Sequence, residues 1–247
     1  MSNKISVITV CFNAEKEIEK TILSVVNQTY SDLEYIIIDG GSTDDTNNII
    51  KKYRNKIDYY ISEPDKGIYD AMNKGIMHAN GEWINFMNAG DYFTNDRILE
   101  DVFSQKIPSD KKFIYSDFWG VKNGIRNLYS CSINKGDIIH QACIYKRNLH
   151  EEYGKYIVTD KIIISDYLFF NSIPFKYFYK IPFPIAIYQL GGISSNKWCF
   201  YQKLCADVIF RRISMKYLVL KVTLYPFLKH IPYNLKKSIK NFFNLKY

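Results

Sequence analysis

Residues 34–42 read Glu-Tyr-Ile-Ile-Ile-Asp-Gly-Gly-Ser, a β-branched run that stops at an aspartate and two glycines. Such a run, bounded by turn formers, predicts a strand over Glu34–Ile38 and a turn over Asp39–Ser42. Upstream, Lys4–Cys11 (KISVITVC) predicts a first strand. Between the two, Asn13 can cap a helix running to Gln28, with Glu15 and Glu17 in its positive first turn. Its apolar stripe of Ile18, Ile22, Val25 and Val26 has helical spacing. Downstream, Thr43 or Asp44 can cap a second helix carrying Ile49, Ile50 and Tyr53. A strand over Ile57–Ser62, a helix over Lys66–Ala79 and a strand over Glu82–Met87 follow. Strands that alternate with helical segments predict an α/β fold, a mostly parallel sheet with helices on both faces.

In such sheets ligands lie beyond the carboxyl ends of the strands. Polar residues collect there: Asn13 after the first strand, Asp39 after the second, Glu63-Pro64-Asp65 after the third, and Asn88-Ala89-Gly90-Asp91 after the fourth. Singly, Asn13 and Asp65 read as helix caps and Asp39 as a turn former. Together they place carboxylates and amides along one edge. On the third helix Lys66, Asp70 and Asn73 share an arc of about 60°, beside an apolar arc of Ile68, Tyr69, Met72 and Ile76. The apolar arc is expected on the sheet, and the polar arc faces either solvent or the crevice.

The motifs for several chemistries are missing. There is no Gly-x-Gly-x-x-Gly, no P-loop and no Gly-x-Ser-x-Gly elbow. Asp91 instead suits a hard divalent cation, which takes oxygen ligands and shares them with substrate phosphates. The small Ala89 and Gly90 leave room for a diphosphate near the backbone.

The segments ISVITVCFN, EYIIIDGGSTDDT, SEPDKGIYDAMNKGI and ANGEWINFMNAGDYF resemble the family 2 glycosyltransferases, and most of all the colanic-acid, O-antigen and capsule transferases of bacterial surface polysaccharides. The likeness is dense over 4–93 and thinner to about 170. It implies a GT-A (Rossmann-like) fold, a nucleotide-sugar donor, Mn²⁺ or Mg²⁺, and inversion at the anomeric carbon. By position, Thr9, Cys11 and Asn13 would meet the nucleoside and Asp39 the edge of the base. Asp65, Lys66, Asp70 and Asn73 would line the diphosphate and donor sugar, with Asn88, Ala89 and Gly90 beside them. Asp91 would hold the metal; the family's commoner second aspartate is absent, and Asn88 supplies an amide oxygen or meets the ribose instead.

Inversion by direct displacement needs a base for the acceptor hydroxyl. Asp166 fits, in a Ser165-Asp166 pair that opens an apolar helical run. Asp160 and then Asp117 are the alternatives, with Asp117 expected to border a sugar. His140 and Gln141, before the strand-like Ala142–Tyr145, are either structural or contacts to the acceptor or its pyrophosphate.

The net charge of +8 is confined to the last fifth of the chain. Residues 196–247 hold eleven Lys or Arg against Asp207 alone, whereas the rest hold 22 bases and 24 acids. The domain boundaries expected are 1–195 for the transferase (donor half about 1–93, acceptor half about 94–195) and 196–247 for a basic, aromatic, helical tail broken at Pro226 and Pro232. Bases interleaved with aromatics predict an amphipathic segment on an anionic membrane surface, or else a cap folded onto the domain. No nucleic-acid motif accompanies the charge, and no nucleic-acid partner is expected. The longest apolar stretch, Tyr217–Leu228, is short of the about 20 residues that span a bilayer. Five cysteines without a Cys-x-x-Cys pair imply neither zinc nor a disulfide framework. Without a signal peptide, the expected location is cytoplasmic, peripheral on the inner face of a bacterial inner membrane. The acceptor implied is a polyprenyl-diphosphate-linked saccharide and the donor a UDP-hexose. The alternatives are a nucleotidyltransferase on a related sheet and a non-catalytic membrane-binding module. The first would need a basic, glycine-rich loop where Cys11-Phe12-Asn13-Ala14 stands.

Overall fold

The computed structural model describes residues 3–192 and 196–228, which belong to two compact units, Met1–Gly192 and Ile193–Tyr247. In the first unit β1 (Ile5–Cys11), α1 (Ile18–Val26), β2 (Leu33–Asp39), α2 (Thr46–Lys52), β3 (Tyr59–Ser62), α3 (Ile68–His78) and β4 (Trp83–Phe86) alternate as the sequence predicts. The strands pair in parallel, with Cys11 opposite Asp39 and Asp39 opposite Ser62, and Ile8 opposite Phe86. The carboxyl ends of β1, β2 and β3 are therefore level.

Every side chain of β1 is buried, because alternate residues enter two apolar layers. Ile8 and Val10 join Ile36, Ile38, Met72 and Ile76 on one face. Ile5, Val7 and Cys11 join Ile18, Ile22, Val25, Ile37 and Ile50 on the other. On the first face α3 lies so close that a Cβ on Gly75 would stand 2.5 Å from Ile8 Cγ2.

The remainder of the unit comprises β5 (Tyr92–Phe93), α4 (Ile98–Phe103), β6 (Phe113–Tyr115), β7 (Phe118–Lys122), β8 (Ile125–Tyr129), β9 (Cys143–Lys146), α5 (Leu149–Tyr153), α6 (Ser165–Ser172), β10 (Phe178–Lys180) and β11 (Ala186–Gln189). The main sheet has the order β10-β6-β9-β4-β1-β2-β3, and a smaller one has the order β5-β11-β7-β8. Strand β9 runs antiparallel to both β4 and β6, so it carries the chain back past the edge of the crevice.

Three local expectations are corrected. Asn13 does not cap a helix: it has φ +47°, and α1 starts at Ile18 and stops at Val26, short of Gln28. Its amide is drawn away to the loop after β2, where Oδ1 accepts the Thr43 N–H at 2.9 Å. Helix α3 begins at Ile68 rather than Lys66, after Gly67 at φ +105°. In the second unit α7 (Lys197–Ile209) is capped by Asn196, whose Oδ1 accepts the Trp198 N–H at 3.0 Å. Helix α8 (Met215–Leu228) continues through Pro226, where a break is predicted.

The described side chains of α8 show apolar and basic groups alike at the surface. Met215, Val219 and Val222 are exposed, and so is Lys216. The lysines from 229 onward, Pro232, Phe242 and Phe243 lie outside the described residues. Among the described residues no helix is long and apolar enough to cross a membrane.

Candidate functional site

The crevice begins at the level ends of β1 and β2. The Asp39 carboxylate is fully buried. Its Oδ2 accepts the N–H of Gly41 at 3.2 Å and of Ser42 at 2.9 Å, and the Ser62 hydroxyl at 2.6 Å. Its Oδ1 accepts the Ser42 hydroxyl and the Cys11 thiol. Burial, then the Asp39 charge, pushes the Cys11 thiol far above its usual range, so it stays protonated. Asp65 caps the turn before α3 by accepting the Gly67 N–H at 2.8 Å. A Cβ on Gly40 would stand 2.5 Å from Asp65 Oδ2 and 3.4 Å from the Phe12 ring. Gly40 thus lets three strand ends close together. Phe12, 63% exposed beside them, is an aromatic face that no spacing or motif in the sequence marks between Cys11 and Asn13.

Strand β4 and its exit carry Asn85, Asn88 and Asp91, and all three grip one segment, residues 140–143. Asn85 Nδ2 donates to the carbonyls of Gln141 at 3.2 Å and Cys143 at 2.8 Å. Asn88 Nδ2 lies 2.8 Å from His140 Nε2. Gln141 Nε2 donates to Asp91 Oδ2 at 2.6 Å, and the Gln189 N–H to Asp91 Oδ1 at 2.9 Å. Thr21 of α1 ties the turn from below, donating to the Asp91 carbonyl at 2.8 Å and accepting the Gly90 N–H at 3.0 Å. Gly90 is required there by its φ of +98° rather than by crowding. Asp91 is 5% exposed, and burial pushes its carboxyl up to about 6 against the donors from Gln189 and Gln141 and the nearby His140.

Asp166 stands in the first turn of α6. His140 Nδ1 lies 3.0 Å from its Oδ2. Its Oδ1 accepts the Tyr69 hydroxyl at 2.8 Å and the Tyr167 N–H at 2.9 Å. Its side chain keeps 21% of its surface exposed, which leaves it open to a reactant. Asn88, Asp91, His140, Gln141 and Asp166, spread over residues 88–166, thus form one hydrogen-bonded cluster, joined by the Asp91 N–H to the Asn88 carbonyl at 3.0 Å. Tyr69 joins it, although its spacing on α3 marks it as core.

Other predicted residues are placed elsewhere. Thr9 is buried inside the sheet, where its hydroxyl meets Tyr35 Oη at 3.0 Å and donates to the Met87 carbonyl at 2.8 Å. Asn73 spends its amide on the backbone of Tyr156, accepting at 3.0 Å and donating at 2.8 Å. Asp70 Oδ2 accepts the Lys66 N–H at 3.0 Å, at the entry to α3; Lys66 is exposed and Ala89 half-buried. Asp117 pairs with Lys180 at 2.6 Å and accepts the Cys131 N–H. Burial opposes its ionisation, and these donors outweigh it, holding the carboxyl below its usual range. Asp160 is exposed and accepts the hydroxyl of Thr159 next to it at 3.2 Å.

The donors at the β4 exit suit a hard cation in part. Asn88 Oδ1 is buried without a hydrogen-bond partner, and each Asp91 oxygen keeps lone pairs beyond the bond it accepts. Among the described residues no group of three His, Cys, Asp or Glu could hold a metal ion by itself. An ion here needs further oxygens, and the phosphates of a substrate are of the right kind.

Residues 6–154, more than half of the chain, match the family model described as glycosyl transferase family 2. The chain belongs to this family. It is 39% identical over 118 residues to an uncharacterized glycosyltransferase of Mycobacterium tuberculosis, covering 47% of this chain and 44% of that one. It is 29% identical over 172 residues to a PGL/p-HBAD biosynthesis glycosyltransferase of Mycobacterium bovis, covering 64% and 65%. The family 2 chain thus spans less than two thirds of the length of either relative. Its fold is that of S. aureus TarS 1–349 in complex with UDP-GlcNAc, with a TM-score of 0.69 at 20% identity over 84% of this chain and 66% of that one. It is also that of the mannosyltransferase PcManGT of Pyrobaculum calidifontis in complex with GDP-Man and Mn²⁺, at 0.63 and 15% over 83% and 64%. The mixed sheet is of the GT-A type expected from the sequence.

Proposed function

We propose that this family 2 glycosyltransferase moves a hexose from a nucleotide diphosphate, UDP before others, to a hydroxyl of a polyprenyl-diphosphate-linked saccharide, with inversion. The observation that carries the reading is the span between Asn88 and Asp166, which one imidazole bridges. It sets an open carboxylate close to the loop that would receive a diphosphate. The TarS and PcManGT structures, with UDP-GlcNAc and GDP-Man bound, support a donor of this class.

The exposed Phe12 offers the base a stacking face, and Asp39 orders the loop beside it. Asp39 meets the base edge only by giving up one of its serine donors. Asp65, Lys66 and Asp70 line the diphosphate side at the entry to α3. Asp166 takes the proton of the acceptor hydroxyl as that oxygen attacks the anomeric carbon and the bond to the diphosphate breaks. Asp91 and Asn88 Oδ1 would hold Mn²⁺ or Mg²⁺, which neutralises charge on the leaving diphosphate. The basic second unit, with Trp198, Ile209 and Met215 exposed, meets the anionic inner face of a bacterial membrane, where a polyprenyl acceptor is held. A role in O-antigen, lipopolysaccharide or capsule synthesis follows from that acceptor.

Thermal-shift titration with UDP, GDP, CMP and dTDP, each with and without Mn²⁺, tests the donor class. A ligand of the folded state raises Tm by mass action. UDP is expected to raise it, more so with Mn²⁺, and Asp91→Ala to abolish the Mn²⁺ increment. No response to any nucleotide would overturn the reading.

A further inference from the structure

His140 has both ring nitrogens engaged, Nδ1 with Asp166 Oδ2 at 3.0 Å and Nε2 with Asn88 Nδ2 at 2.8 Å. A carboxylate can only accept, so Nδ1 carries the proton of that contact. We propose that His140 is a positioning residue: Asn88 holds the ring from its other side, and its Nδ1–H fixes the direction of Asp166 Oδ2.

The alternative role, general base, does not fit this geometry, because Nε2 is engaged with the Asn88 amide at 2.8 Å and Nδ1 with Asp166. Tyr69 and Tyr167 hold Oδ1, and His140 defines the rotation of the carboxylate about its last torsion. The arrangement links the β4 exit to α6, so the loop for the diphosphate and the group for the acceptor proton keep a fixed separation. Misplacing a reacting group by about 1 Å costs on the order of 10²-fold in rate.

The inference rests on Asp166 as the base, and the test separates the two. The full chain, ¹⁵N-labelled at pH 7.5, contains four histidines, and His140→Asn identifies the one concerned in a long-range ¹H–¹⁵N spectrum. His140 is expected to show a protonated Nδ1. In parallel, UDP release from UDP-glucose and UDP-N-acetylglucosamine is followed with water as acceptor. His140→Ala is expected to lower kcat by about 10²-fold with donor KM little changed. His140→Asn, whose Nδ2 donates from the place of Nδ1, should recover most of it. A bare Nδ1 in the wild type overturns the inference. So does an unchanged kcat in His140→Ala while Asp166→Asn is inactive, a result that leaves the base reading standing. An active Asp166→Asn removes the base reading, and the inference with it.

Discussion

The Tyr69 hydroxyl donates to Asp166 Oδ1 at 2.8 Å, joining the first turns of α3 and α6 across 97 residues of sequence. Burial, followed by the charge of Asp166, keeps this phenol far above its usual range. It remains a donor at every working pH. Tyr69→Phe leaves the ring packing and removes one neutral-to-charged hydrogen bond, a loss of about 1.5–3 kcal/mol at most. A fall in kcat of about tenfold is expected, with the Tm increment from UDP retained. Loss of the UDP increment would instead place Tyr69 on the donor side.

Asp91 is held ionised at a cost. Its folded-state carboxyl is raised to about 6 from 3.8, so the folded chain binds more protons than the unfolded chain between these values. That contribution to stability is present below about 4 and lost as pH rises through about 6. At pH 7.5 the buried charge opposes folding by up to about 3 kcal/mol. Asp91→Asn can keep the Gln189 N–H on Oδ1 and offer Nδ2 to a rotated Gln141. It is expected to raise the urea midpoint at pH 7.5 while abolishing turnover, and the gain should vanish toward pH 4. Equal midpoints for both proteins at pH 7.5 would count against a buried ionised Asp91.

The parts legible in sequence were those set by local composition. The β-branched runs at 5–11 and 33–39 form strands because every position but Leu33 is buried between the layers that flank the sheet, and their polar ends line the crevice for the same reason. What was not legible depends on distant partners. Asn13 has the composition of a cap, yet its amide is claimed by Thr43. Tyr69 falls on an apolar arc, and only the position of α6 turns its hydroxyl into a ligand of Asp166. The run before Tyr145 resembles the earlier strands, and its antiparallel direction is set by its path past β4 and β6. Asn73 falls on the polar arc, which the wheel alone leaves facing solvent or the crevice, and the backbone of Tyr156 takes both ends of its amide.

His150 imposes the opposite pH dependence to Asp91. It is buried, with Nε2 2.9 Å from Tyr145 Oη and Nδ1 3.1 Å from the Gly154 carbonyl, and its ring is stacked on Phe169 at 4.1 Å. Burial lowers its pKa to about 4 from 6.5, against the Gly154 carbonyl. The unfolded chain therefore binds the proton first, and stability falls as pH drops from about 6.5 toward 4. By pH 5 the loss is about 2 kcal/mol. His150→Gln keeps an acceptor for Tyr145 and cannot be protonated. Its urea midpoint should be lower than wild type at pH 7 and should fall less between pH 7 and 5. Parallel slopes would assign acid sensitivity to other groups.

Gly75 ties packing to chemistry, because α3 carries both Gly75 and Tyr69. A Cβ at Gly75 would meet Ile8 Cγ2 at 2.5 Å and Ile38 Cγ1 at 3.6 Å. Alanine at a helix interior gains about 1 kcal/mol over glycine in propensity. Overpacking against a β-branched side chain costs about 1–3 kcal/mol, so Gly75→Ala is expected to destabilise on balance. The helix can relieve the clash only by lifting from β1, which also moves Tyr69 away from Asp166. A drop in kcat should therefore accompany the drop in stability. Ile8→Ala removes the obstructing methyl and by itself opens a cavity. In the double variant each change relieves the other, and its loss should be smaller than the sum of the two single losses, by at least about 0.5 kcal/mol. Additive losses would show that α3 does not bear on β1 at this point.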